Sequence, residues 1–139
     1  MKAQFLTDLI LRNIDGKYSV LQKDFNVYSN YLNCYICAPA GLISDTESVP
    51  LFRTTSKRAG IIHDYLCRVD AEPVTTKQQA AAVYHEMMTC RDKKFYSNKP
   101  WYFRSWLFSY RWIKSSVVRI AWGYWKKHKV MATYEEIKS

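Results

Sequence analysis

The hydrophobic pattern of this 139-residue chain changes period once, near Ser56, and that change limits the folds open to it. Before it, residues 17–38 (KYSVLQKDFNVYSNYLNCYICA) interleave Tyr, Val, Ile and Phe with polar residues. This predicts two or three short antiparallel strands with a turn near Ser29–Asn33. Pro39-Ala40-Gly41 breaks the pattern, Gly41 suits a kink or bulge, and residues 42–50 read as a loop. After it, Ala59, Ile62, Tyr65 and Leu66 recur at helical spacing and predict a helix over roughly 56–68. Thr75 or Thr76 caps a second helix, KQQAAAVYHEMMTC, whose Ala-rich run needs tertiary contacts on its Val83, Met87 and Met88 side. RDKKFYSNKP reads as a basic loop. Pro100 then opens a long amphipathic helix over roughly 100–127, and a tail follows over 128–139. Strands first and helices after give an α+β fold: a small N-terminal antiparallel sheet packed with two short helices, followed by the long C-terminal helix.

Size and composition set the outer bounds. The length is that of one domain, 1–139, and 48% hydrophobic residues can form a core. Charge is unevenly placed. Residues 1–90 hold nine Lys/Arg and nine Asp/Glu, whereas residues 91–139 hold twelve against three. The whole +9 excess therefore sits in the last third. Asp8 interrupts the apolar run Phe5, Leu6, Leu9, Ile10, so no secretory signal is read, and no uncharged apolar run reaches 18 residues. The four cysteines, Cys34, Cys37, Cys67 and Cys90, are expected as reduced thiols of a chain folded in a reducing cytoplasm.

Within 100–127, Phe103, Trp106, Leu107, Tyr110, Ile113, Val117, Ile120, Ala121 and Tyr124 gather on one helical stripe of the kind that packs on a core. Phe108, Trp112 and Trp122 fall outside that stripe, among Arg104, Arg111 and Arg119. Aromatic rings interleaved with arginines suit a contact surface. A protein interface would bury them as anchors, an anionic membrane would attract the cations, and nucleic acid would take phosphates and stack bases. A solvated basic face is the plain alternative. A protein interface is placed first, because no nucleic-acid motif is recognised.

Asp45, His63 and Asp64 are the best candidates for chemistry. Two carboxylates and an imidazole can hold a divalent metal, or an Asp can orient His as a general base. Adjacent helical residues diverge by about 100°, so one of His63 and Asp64 should reach the Asp45 loop while the other caps or faces solvent. In the structural alternative, Asp45 and Ser48 satisfy loop amides and His63 pins loop to helix. Cys34 and Cys37 form CxxC, with Cys67 four residues after His63, a possible zinc set. A CxxC within a strand points its thiols to opposite faces, which favours small buried hydrophobes instead.

Three segments together resemble the domain-of-unknown-function 1353 family of bacteriophages and prophages. They are Asp24-Phe25 with Val27-Tyr28, the run Pro39-Ala-Gly-Leu-Ile-Ser-Asp-Thr-Glu-Ser-Val-Pro50, and Ala59-Gly60-Ile61-Ile62-His63-Asp64-Tyr65-Leu66. The resemblance implies a compact α+β fold, phage origin, and a structural motif carried by Pro39, Gly41, Asp45, Ser48, Pro50, His63 and Asp64. The family pattern places an Asp in the next helix where this chain has Ala81, so a site needing that carboxylate lacks it; His85 or Glu86 would replace it only after a rotation or shift of the helix. The expectation is a non-catalytic phage protein that docks into a larger assembly, a virion or tail-associated part, without a cofactor. Its partners would be other phage structural proteins, copies of itself or an anionic partner met through the C-terminal helix, in the phage virion or the bacterial host cytoplasm. The rival is a small metal-dependent hydrolase or processing enzyme using Asp45, His63 and Asp64. A third reading is a host-directed effector that binds a bacterial protein or nucleic acid.

Overall fold

Alternating residues around the predicted turn form a hairpin: β4, Phe25–Ser29, pairs antiparallel with β5, Cys34–Ala38. Phe25 stands opposite Ala38 and Val27 opposite Ile36, and all four are buried on one face. Asn33 closes the turn at φ 55°, a left-handed conformation Asn tolerates, and its carboxamide oxygen accepts the Tyr28 hydroxyl at 2.6 Å. The computed structural model describes residues 2–15, 18–44, 57–96 and 126–138.

Three further strands escape the period-two pattern because each has only two or three residues. These are β1 (Gln4–Phe5), β2 (Leu11–Asn13) and β6 (Ile43–Ser44), beside the expected β3 (Ser19–Leu21). They change the architecture from one sheet to two antiparallel three-stranded sheets, in the orders β1-β4-β5 and β2-β3-β6. The Phe5 ring stacks on Phe25 at 6.0 Å between centroids and so fastens β1 to the core.

Pro39-Ala40-Gly41 joins the two sheets. The Asp24 carboxylate accepts the Ala40 N–H at 2.8 Å, the Gly41 N–H donates to the Leu21 carbonyl at 2.7 Å, and Leu21 donates to Leu42 at 2.8 Å. Gly41 sits at φ 96°, and the Met131 Cε methyl lies 2.7 Å from where a Cβ would stand. Both the backbone angle and the close approach call for glycine there.

The helices cover the sheets. In α1, Lys57–Leu66, residues Ala59, Gly60, Ile61, Ile62, Tyr65 and Leu66 are buried. Helix α2 spans Lys77–Tyr96 and buries Ala80, Ala81, Val83, Tyr84, Met87 and Met88. Its start is a reciprocal capping box: Thr76 Oγ1 accepts the Gln79 N–H and Gln79 Oε1 accepts the Thr76 N–H. Residues 91–96, read as a basic loop, continue the helix instead. They contain neither Gly nor Pro, so nothing in them breaks the ladder before Pro100.

Residues 100–125 of the expected long helix lie outside the described residues. Lys126 and Lys127, taken as its end, form a turn. The segment read as a tail carries α3, Tyr134–Lys138, and buries Val130, Ala132 and Ile137. One cluster unites the β4–β5 face, Leu21, Leu42, α1, α2 and Val130.

Candidate functional site

The described candidates converge on the C-terminal half of α1. Asp64 accepts a hydrogen bond from the Ser44 hydroxyl at the end of β6. His63, one position earlier, points away toward α2, where its ring meets the edge of Tyr84 at 5.5 Å between centroids. The expected divergence of the two side chains holds, and the choice left open between them falls to Asp64, which ties the helix to β6. His63 neither faces solvent nor pins the loop but packs half-buried between helices. The reason is the α1–α2 contact, which occupies the side of α1 that His63 faces.

His63 and Cys67 lie one helical turn apart, and the Cys67 Sγ is 3.6 Å from His63 Nδ1 and 3.8 Å from Nε2. Burial drives the His63 pKa down to about 4, so the imidazole is neutral at pH 7. Burial also pushes the Cys67 thiol up; Asp64 adds to this, against the opposing pull of Arg68 and Lys126. Both partners are therefore uncharged near neutrality, a thiol beside an imidazole rather than an activated thiolate.

Below this pair, the last turn of α1 is closed from outside the helix. Cys67 donates back to His63, while the Lys126 N–H reaches the Cys67 carbonyl at 2.7 Å. The Lys126 ammonium donates to the carbonyls of Leu66 at 3.1 Å and Arg68 at 3.0 Å. These are the carbonyls a helix terminus leaves without intrahelical partners, and a cation is favoured there. The buried Arg68 guanidinium donates to the Ile43 carbonyl at 2.6 Å. Asp70 accepts the Val130 N–H at 2.7 Å, and Val69 donates to the His128 carbonyl at 2.8 Å. His128 is held below its ordinary pKa by burial, then by Arg68 and Lys127.

Arg68 was open to sequence reasoning, being a basic residue at a helix C-terminus. Lys126 was not, because the carbonyls it satisfies lie about sixty residues upstream. Glu86, weighed as a replacement carboxylate, is committed elsewhere: it accepts the Ser29 hydroxyl at 2.7 Å and the Tyr31 N–H at 2.8 Å, which fastens α2 to the β4–β5 turn. His85, the other replacement considered, is half-buried on the same helix.

Cys34 is half-buried and Cys37 exposed on β5, as opposite faces of a strand require, and the Cys37 thiol is pushed up by burial and by Asp24. Among the described residues no three His, Cys, Asp or Glu side chains gather as metal ligands. Asp45, Ser48 and Pro50 lie outside the described residues, as do Arg104, Phe108, Arg111, Trp112, Arg119 and Trp122. No helix among the described residues is long and apolar enough to cross a membrane.

No curated protein and no solved structure matches the chain significantly. Residues 20–104, more than half of the chain, match the family described as Protein of unknown function (DUF1353), and the chain belongs to that family.

Proposed function

We propose that this is a non-catalytic protein that docks into a larger assembly through its cationic, aromatic segment over residues 100–125, the part of the expected 100–127 helix that precedes the Lys126 turn. The observation that carries the reading is the separation of roles along the chain. Acidic side chains of the body bind the body itself: Asp24 holds Ala40, Asp64 holds Ser44, Asp70 holds Val130, and Glu86 holds the β4–β5 turn. All five tryptophans lie between residues 101 and 125, and residues 97–125 contain cations but no Asp or Glu. Such a segment has no opposite charge of its own, and Trp with Arg is the pairing that dominates protein interfaces. A virion or tail assembly is the setting that the phage resemblance favours. The uncharged His63–Cys67 pair and the Asp64–Ser44 bond support a structural use of α1 over a hydrolytic one.

Co-purification of the tagged chain with its assembly, over a range of salt concentrations, tests this. Trp112→Ala or Trp122→Ala should abolish association, and Arg111→Gln with Arg119→Gln should weaken it modestly, mainly at low salt. A nucleic-acid partner would give the reverse order with steep salt dependence. Normal assembly of the Trp variants would defeat the reading. One tightly held metal ion per chain, found by elemental analysis, would favour the hydrolase instead.

A further inference from the structure

Residues 126–138 form a strap laid across both halves of the body. At one end it closes α1 through Lys126, whose backbone takes a left-handed φ of 55° so that its N–H and its ammonium address three consecutive carbonyls, Leu66, Cys67 and Arg68. Two more bonds follow within four residues, Val69 to His128 and Val130 to Asp70. At its far end the Tyr134 hydroxyl donates to Asp15 in the β2–β3 turn, and its ring meets Tyr18 edge-on at 5.7 Å. Between the two ends Val130 and Ala132 are buried and Met131 crosses Gly41, and Ile137 is buried just beyond Tyr134.

The strap's bonds are concentrated at these two ends, and none is a strand ladder that would merge it with a sheet. A left-handed lysine is costly unless its neighbours hold it, so the bonds at Lys126 stand or fall together. That end bonds the carbonyl of Cys67, whose side chain is only 8% exposed and lies against His63. Short peripheral segments held this way open as cooperative units at lower free energy than the body.

We propose that the 126–138 strap is a releasable latch on α1, which opens as a unit around Lys126 while both sheets stay folded, and which in closing shields Cys67 from solvent. This goes beyond the docking reading and does not depend on it, since the latch and everything it covers belong to the body.

The chain's own cysteines report the motion. Alkylation of the intact protein by iodoacetamide, resolved by peptide mass spectrometry, gives a separate rate for Cys67, for half-buried Cys34 and Cys90, and for exposed Cys37. In the unaltered protein Cys67 should react slowest of the four. Lys126→Met removes the ammonium from α1 and should speed Cys67 by at least about tenfold while Cys34 and Cys90 keep their rates. Asp70→Ala, which removes only the Val130 acceptor, should act in the same direction and replaces the first variant if that one fails to fold. Equal acceleration at Cys34, Cys90 and Cys67 would mean global opening and would overturn the latch. An unchanged Cys67 rate in the folded variant would overturn it as well.

Discussion

Residues 1–90 and residues 91–139 use charge in opposite ways. In the first 90 residues acids and bases balance, and each acidic side chain described above is bonded to a backbone or hydroxyl group of a neighbouring element. In the last 49 residues bases exceed acids by nine, and among the described residues there Lys126 works on α1 rather than within its own segment. The contrast teaches that a balanced region builds a body, whereas a one-signed region needs groups from outside itself. Lys126 finds them on the body; the cations between residues 99 and 119 have no carboxylate within their own stretch, and the docking proposal rests on that asymmetry.

Substitutions in the balanced region should therefore cost stability, the largest effects coming from the core. Phe25 is fully buried between β1 and the helices and stacks on Phe5. Phe25→Ala should lower unfolding free energy by about 3–5 kcal/mol in urea titrations, through lost burial and the cavity left behind. A loss below 1 kcal/mol would mean that this face is not the core.

His63 gives the next effect, and it has a sign. Its folded pKa, about 4, lies below the ordinary value of 6.5, so the unfolded chain binds the proton more readily. Its contribution to stability is complete above pH 6.5 and falls as pH drops toward 4. The full shift is worth up to about 3 kcal/mol, and less because the ring keeps some contact with water. Stability of His63→Ala, itself lower by about 1–3 kcal/mol at pH 7, should lose part of this slope between pH 6.5 and 4. An unaltered slope would remove His63 from the acid response.

Glu86→Ala should cost about 2 kcal/mol by releasing the Ser29 hydroxyl and the Tyr31 amide, with hydrogen exchange rising first at the β4–β5 turn. Unchanged exchange there would show that α2 does not hold the turn.

The sequence displayed this body unevenly. The hairpin, its turn, α1 and the capped start of α2 follow from alternation, helical spacing and the Thr75-Thr76 cap, all signals carried by neighbouring residues, with Gln79 adding the reciprocal bond. The unforeseen strands β1, β2 and β6 are two or three residues long and exist because distant partners align them, which leaves no period to read. At the candidate site, the divergence of His63 and Asp64 was legible from helix geometry, but not which neighbour each would meet. That depends on α2 packing against one side of α1. Lys126 and Asp70 were invisible for the same reason: their partners lie about sixty residues away.

The central claim is that body and docking segment are separable, and thermal unfolding of Trp112→Ala tests it most directly. The account predicts a transition that overlays that of the unaltered protein, within about 0.5 kcal/mol as for a surface substitution, in a variant that no longer joins its assembly. A transition lowered by several degrees would place Trp112 in the core and contradict the division between body and docking segment.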